Sequence, residues 1–196
     1  KVKEYKVKGD KNKTRVVWTP DLTVLGTADG GLPEHMDLVC SLLAHNASLC
    51  ANSKVVVKYN GKQVKARGPE QFCKLLGATA PLATCNVTNA DGIEVLRLCV
   101  GVRTTPLSEP EPGLTYAFVN STPCPNGTHE TMILRKVCDA LDEIAKKKRT
   151  GGVDVHITPA FLRKHTIIVA TVLVDNERFT DQTKRTLDTP VKDYGW

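Results

Sequence analysis

The run Ile167-Ile168-Val169-Ala170-Thr171-Val172-Leu173-Val174 constrains this chain more than any other stretch, because nearly every residue is β-branched or aliphatic and none is charged. It has no polar face to offer water. A segment of this kind reads as a strand buried on both sides, which requires a sheet around it and layers above and below. The strand exits through Asp175-Asn176-Glu177 into the polar loop Phe179-Thr180-Asp181-Gln182-Thr183-Lys184. A rigid strand is a good support for donors held against an anion. The Lys supplies a movable point charge, and Gln and Thr supply neutral hydrogen-bond donors. The same residues also suit a solvated loop with one exposed Lys, and composition does not separate the two readings.

The rest of the chain supplies a sheet and helices. Residues 14–19 alternate as a strand that Pro20 stops, and residues 33–51 repeat apolar side chains at helical spacing. Residues 55–64 carry Asn60-Gly61, a two-residue hairpin signal. Pro69 opens a short helix with Phe72, Leu75 and Leu76, closed by Gly77, whereas 78–91 lack periodicity and read as a loop. Residues 93–102 and 115–119 read as an antiparallel pair joined through a proline-rich turn. From Thr128 to Arg149 one stripe of Leu134, Val137, Cys138, Leu141, Ile144 and Ala145 marks a long helix, with Thr128 as N-cap and Glu130 in its first turn. Val153, Val155 and Ile157 alternate with polar residues as a half-exposed strand. The content is mixed α+β, in two sheet-and-helix units joined near residues 64–70.

With 196 residues the chain holds one domain or two small ones. Its 27 Lys+Arg against 21 Asp+Glu give a net charge of +6, which fits a polyanion partner without requiring one. The seven cysteines form no C-x-x-C pair, which argues against a structural zinc site and for reduced thiols packed as small hydrophobes. The sequons at Asn46, Asn86, Asn120 and Asn126 would suit secretion, but no signal peptide is evident, so they read as chance. No apolar run reaches transmembrane length, so no membrane partner is expected. The chain does not begin with Met and is expected to be a piece of a larger protein.

Several landmarks together resemble one family. They are Thr14-Arg15-Val16-Val17-Trp18-Thr19-Pro20-Asp21-Leu22, Tyr116-Ala117-Phe118-Val119-Asn120-Ser121, the turn Asn126-Gly127-Thr128-His129, the helix ending in Lys146-Lys147-Lys148, Gly151-Gly152-Val153, and the loop 179–184. In this order they resemble the type IIA DNA topoisomerases of eukaryotic type, whose transducer domain carries a Gln-Thr-Lys loop. Asn126 departs from the Gly usual in that turn, and Asp181 from the Ser common in that loop. Asn tolerates positive φ, so the turn can survive; Asp181 places an acidic group beside the expected phosphate site.

The resemblance implies an α+β architecture. Residues 1–66 would end a GHKL-type ATPase domain, and 67–196 would form a transducer with a ribosomal-protein-like fold containing a βαβ unit. It implies that Gln182, Thr183 and Lys184 contact ATP and that Lys146, Lys147 and Lys148 contact double-stranded DNA. It places no catalytic residue and no metal ligand in this chain, so ATP and Mg²⁺ would be bound mainly by other parts of the protein. The whole would be a homodimeric, ATP-hydrolysing DNA topoisomerase passing one duplex through another. The nucleus is the expected location, with an organelle or a cytoplasmic viral factory as alternatives. This piece alone is expected to be inactive and to relay nucleotide state to the DNA gate. Two other readings are a transducer-type domain of a mismatch-repair or chaperone GHKL ATPase, and a non-enzymatic basic nucleic-acid-binding module. The second would call for basic or aromatic residues on an exposed sheet face, and aromatics are only 5% of the chain.

Overall fold

The computed structural model describes residues 15–17, 35–51, 54–110, 113–147 and 156–195. The chain divides into two compact units, Lys1–Val39 and Cys40–Trp196. In the first, residues 15–17 have no regular structure, with Val16 and Val17 exposed, and helix α1 (His35–Cys50) begins. The remainder of the strand expected over 14–19 lies outside the described residues.

In the second unit, α1 ends against the sheet. Its carbonyls at Leu49, Cys50 and Ala51 all accept hydrogen bonds from the guanidinium of Arg97, at 2.8, 2.9 and 3.0 Å. These are orphan acceptors of a helix C-terminus, and a planar cation satisfies several at once. Arg97→Met should therefore destabilise the unit by about 2 kcal/mol, since bonds to a charged donor disappear and carbonyls are left without it. Thermal unfolding of Arg97→Met against wild type measures this, and an unchanged melting temperature would refute it.

Strands β1 (Lys58–Tyr59) and β2 (Lys62–Gln63) form the expected hairpin. Asn60 and Gly61 both have positive φ, 46° and 76°, as a type I′ turn demands. Helix α2 (Gly68–Leu75) has Pro69 in its first turn and buries Phe72 and Cys73, while Leu75 and Leu76 face outward.

The main sheet has five strands in the order β3 (Ala78–Thr88), β4 (Glu94–Arg103), β8 (Thr166–Val172), β5 (Tyr116–Val119), β6 (Thr122–Pro123). Two expectations fail here. Residues 78–91 are not a loop, because most of them form the edge strand β3, paired antiparallel to β4. That strand is exposed along most of its length, so burial imposes no apolar alternation on it. Nor do β4 and β5 pair with each other. Strand β8 inserts between them, antiparallel to β4 and parallel to β5. The parallel pair needs a crossover, supplied by helices α3 (Thr128–Lys147) and α4 (Pro159–His165). This is the βαβ unit of the expected fold, and the α+β class stands.

Helices cover both sheet faces, which explains why β8 carries no charge and only two polar side chains, Thr166 and Thr171. Ile168, Ala170 and Val172 point to a cluster with Ile133 and Leu134 of α3 and Leu162 of α4. Ile167 and Val169 point the other way, to Leu49 of α1 and Phe72 and Cys73 of α2. Helix α4 went unread in the sequence, although Thr158-Pro159 is a good helix start. The Thr158 hydroxyl accepts from the Phe161 N–H at 3.2 Å. Of the strand expected at 153–157, residues 153–155 lie outside the described residues, and His156 and Ile157 are not in a strand. No described helix is long and apolar enough to cross a membrane.

Candidate functional site

The site is assembled where β8 ends. Asn120, at the tip between β5 and β6, has φ 47° and turns its amide onto the chain leaving β8. Its Nδ2 donates to the Val174 carbonyl at 2.8 Å, and its Oδ1 accepts from the Val174 N–H at 3.0 Å. An amide side chain thus acts as one more rung of the parallel ladder. Nδ2 also lies 3.0 Å from a carboxylate oxygen of Glu177. In the sequence Asn120 stands out as a sequon and as part of a resemblance, and neither hints at this contact. Its role is to aim the loop.

Beyond Glu177 the loop folds back on itself. The Asp188 N–H donates to Arg178 O at 2.8 Å, the Thr180 N–H to Thr186 O at 3.1 Å, and Phe179 bridges Leu187. The return limb carries β9 (Thr186–Leu187), which pairs in parallel with β7 (Asn126–Gly127) immediately before α3. The turn at 126–129 is therefore stitched to the limb that returns from the 179–184 loop. Gly127 makes this possible. Its φ is 123°, and a Cβ there would sit 2.2 Å from Leu187 O and 2.6 Å from Leu187 N.

At the tip, Asp181 organises the loop. Its Oδ1 accepts from the Thr183 N–H at 2.8 Å and from the Thr183 hydroxyl, and its carbonyl accepts the Lys184 N–H at 3.2 Å. Those donors, the Thr183 hydroxyl foremost, hold the Asp181 carboxyl below the usual carboxylate range. Asp181 is thus an Asx-type cap that shapes the tip. Thr183 spends its hydroxyl inside the loop. Gln182 is exposed, and Lys184 is half-buried with φ 57°. Its ammonium sits 5.4 Å from the centroid of the Phe179 ring.

The start of α3 is anchored as tightly. The Thr128 hydroxyl donates to Thr189 O at 2.6 Å and lies 2.8 Å from the Tyr194 hydroxyl, where the sequence had suggested only a local cap. His129 is fully buried. Its Nε2 lies 2.8 Å from the Cys124 carbonyl and donates to it, Nδ1 has no partner among the described residues, and burial lowers its pKa, which favours the neutral ring. Glu130, expected only to meet the helix dipole, is buried and pairs with Arg163 of α4. A groove of about 940 Å³ opens beside this junction, lined by Thr131, Arg135, Thr180, Thr186, Asp188 and Val191 among others.

At the other end of α3, Lys146 and Lys147 are exposed in the last turn, some way along the helix from the loop. Lys148 and the following glycines lie outside the described residues. The Asp142 carboxylate accepts from the Ile157 N–H at 2.8 Å and from His156 at 2.9 Å, and these bonds, the first foremost, lower its pKa. Among the described residues no group of three or more His, Cys, Asp or Glu is placed to hold a metal.

The chain is 36% identical over 80 residues to a probable DNA topoisomerase 2 of Dictyostelium discoideum, a match covering 40% of this chain and 5% of that protein. It is 26% identical over 192 residues to DNA topoisomerase 2 of Caenorhabditis elegans, covering 95% of this chain and 12% of the relative. The chain thus spans only a small part of the curated relatives it matches. Among solved structures, the ATPase region of Saccharomyces cerevisiae topoisomerase II aligns at a TM-score of 0.66 and 23% identity, over 90% of this chain and 42% of that one. The ATPase and transducer domains of Balamuthia mandrillaris topoisomerase II align at 0.63 and 24%, over 90% and 41%. At that identity the likeness establishes the fold alone. The family model for DNA gyrase B matches residues 91–194, which take in β4, β5, α3, β8 and the whole Gln182-Thr183-Lys184 loop. With more than half its length inside that match, the chain belongs to the DNA gyrase B family, among the type IIA DNA topoisomerases.

Proposed function

We propose that this chain is the nucleotide-sensing relay of an ATP-dependent DNA topoisomerase II that acts by double-strand passage. In this reading Gln182 and Lys184 reach the terminal phosphate of ATP held by a neighbouring domain, and the loop hands the presence or absence of that phosphate to the sheet and α3. Residues 1–66 would end the ATPase domain and 67–196 would form the transducer. Mg²⁺ and most of the nucleotide pocket would be supplied from outside this chain, the partners would be duplex DNA and a second subunit, and the location would be the nucleus.

The observation that carries the reading is the built loop tip. An Asx cap at Asp181 and the β7–β9 stitch preform it, leaving the Gln182 amide exposed and a cation at its side. A preorganised positive charge near a transferring phosphoryl group stabilises the charge that develops there. Thr183 supports the shape of the tip through its bonds to Asp181 and is the weakest of the three as a direct phosphate ligand.

Lys184→Ala in the full-length protein should lower ATP-driven strand passage by about 10²-fold, the usual cost of removing one preorganised donor. DNA binding should hardly change. Supercoil relaxation at the wild-type rate by this variant would refute the phosphate contact. The lysine cluster has its own test. If Lys146 and Lys147 touch duplex phosphates, their joint replacement by Gln should flatten the salt dependence of DNA-stimulated ATPase by about 0.9 in log–log slope for each phosphate no longer neutralised. An unchanged slope would leave both residues the simpler duty of complementing the helix C-terminus.

A further inference from the structure

Lys184 does not extend freely from the loop. Its ammonium lies over the face of Phe179, 5.4 Å from the ring centroid. That ring is itself fixed: it packs against the core beneath α3, and its backbone bridges Leu187. The other end of the lysine is also fixed, because its backbone N–H is bound to Asp181 O and its φ is 57°. A cation held at its root, with an anchored aromatic face under its head, has a defined resting place.

We propose that Phe179 is a positioning residue, an aromatic seat for the Lys184 ammonium that competes with a terminal phosphate for the same cation. The inference rests on the phosphate contact assigned to Lys184 above and adds to it a competing partner. A terminal phosphate must draw the cation off the ring, so the seat weakens nucleotide binding by the value of the cation–π contact. At a half-exposed site that value corresponds to a factor of about two to five in an equilibrium. The sign is the informative part. A residue that merely packs the loop base would strengthen nucleotide binding, and its removal would weaken it.

The test is a double-mutant cycle in the full-length protein, read as the affinity for a non-hydrolysable ATP analogue with Mg²⁺. Phe179→Leu should tighten binding by about two- to five-fold. In a Lys184→Met background the same replacement should change nothing. Phe179→Met, which is close in volume and also lacks a ring, repeats the measurement should Leu loosen the core. Weaker or unchanged binding by both ringless variants would overturn the seat, as would the same change in both backgrounds. Were Lys184→Met alone to leave affinity unaltered, the phosphate contact itself would be wrong and the seat would fall with it. A defective Lys184→Met with no coupling to Phe179 would sink the seat only.

Discussion

Gly127→Val should destabilise the protein by about 3 kcal/mol or more, among the largest effects of any single substitution here. Two penalties coincide at this position. The backbone has φ 123°, which a β-branched residue does not adopt without strain. The added Cβ would also press on backbone atoms of Leu187, which cannot swing aside as a side chain could. Either β7 or β9 must move, and the stitch between the loop and α3 opens. For a unit of this size the melting temperature should fall by roughly 6–12 °C. Gly92→Ala is the control. It also lies at positive φ, 77°, but with nothing within 4 Å of an added Cβ, so its cost should be about 1 kcal/mol. Equal melting temperatures for the two variants would show that the close approach of β7 to β9 contributes nothing.

The second large effect is expected from Glu130→Ala, at about 3 kcal/mol. Glu130 is 8% exposed and meets the guanidinium of Arg163, while its other oxygen accepts the Gly127 N–H at 3.4 Å. Removing the carboxylate leaves Arg163 in a largely buried place without its counter-charge. That penalty exceeds what the pair is worth as a pair, because desolvation has already been suffered. The combination Glu130→Leu with Arg163→Met should therefore recover most of the stability that Glu130→Ala loses. Chemical denaturation of the single and double variants measures the coupling. A double variant no more stable than Glu130→Ala would mean that the groups act through something other than their charges.

How much of this was legible follows from how local each signal is. The apolar run at 167–174, the Asn60-Gly61 hairpin and the α3 stripe are carried by neighbouring residues and came out as a strand, a hairpin and a helix, although the strand stops at Val172, and Leu173 and Ile144 are exposed. Strand β3 was invisible because an exposed edge strand buries too little to pattern its sequence. The pairing of β4 with β8 rather than β5 depends on which strand can fill the sheet centre, a competition no single segment records. The loop was visible as chemistry, since Gln182 and Lys184 stand out by type. Its support was not. Asp181 read as an intruding charge and proved to be the cap, and Glu130 read as a dipole partner and proved to be paired with a residue of another helix. Asn120 gave no physical hint of its two hydrogen bonds to Val174, which only the β5 and β8 register creates.

The stitch of β9 onto β7 has one more consequence. Helix α3 begins at the very next residue and runs for 20 residues, a stiff rod about 30 Å long. Because the rod is clamped at its base, a tilt there of only about 5° would sweep the distal lysines through roughly 2.6 Å, by the length of the helix alone.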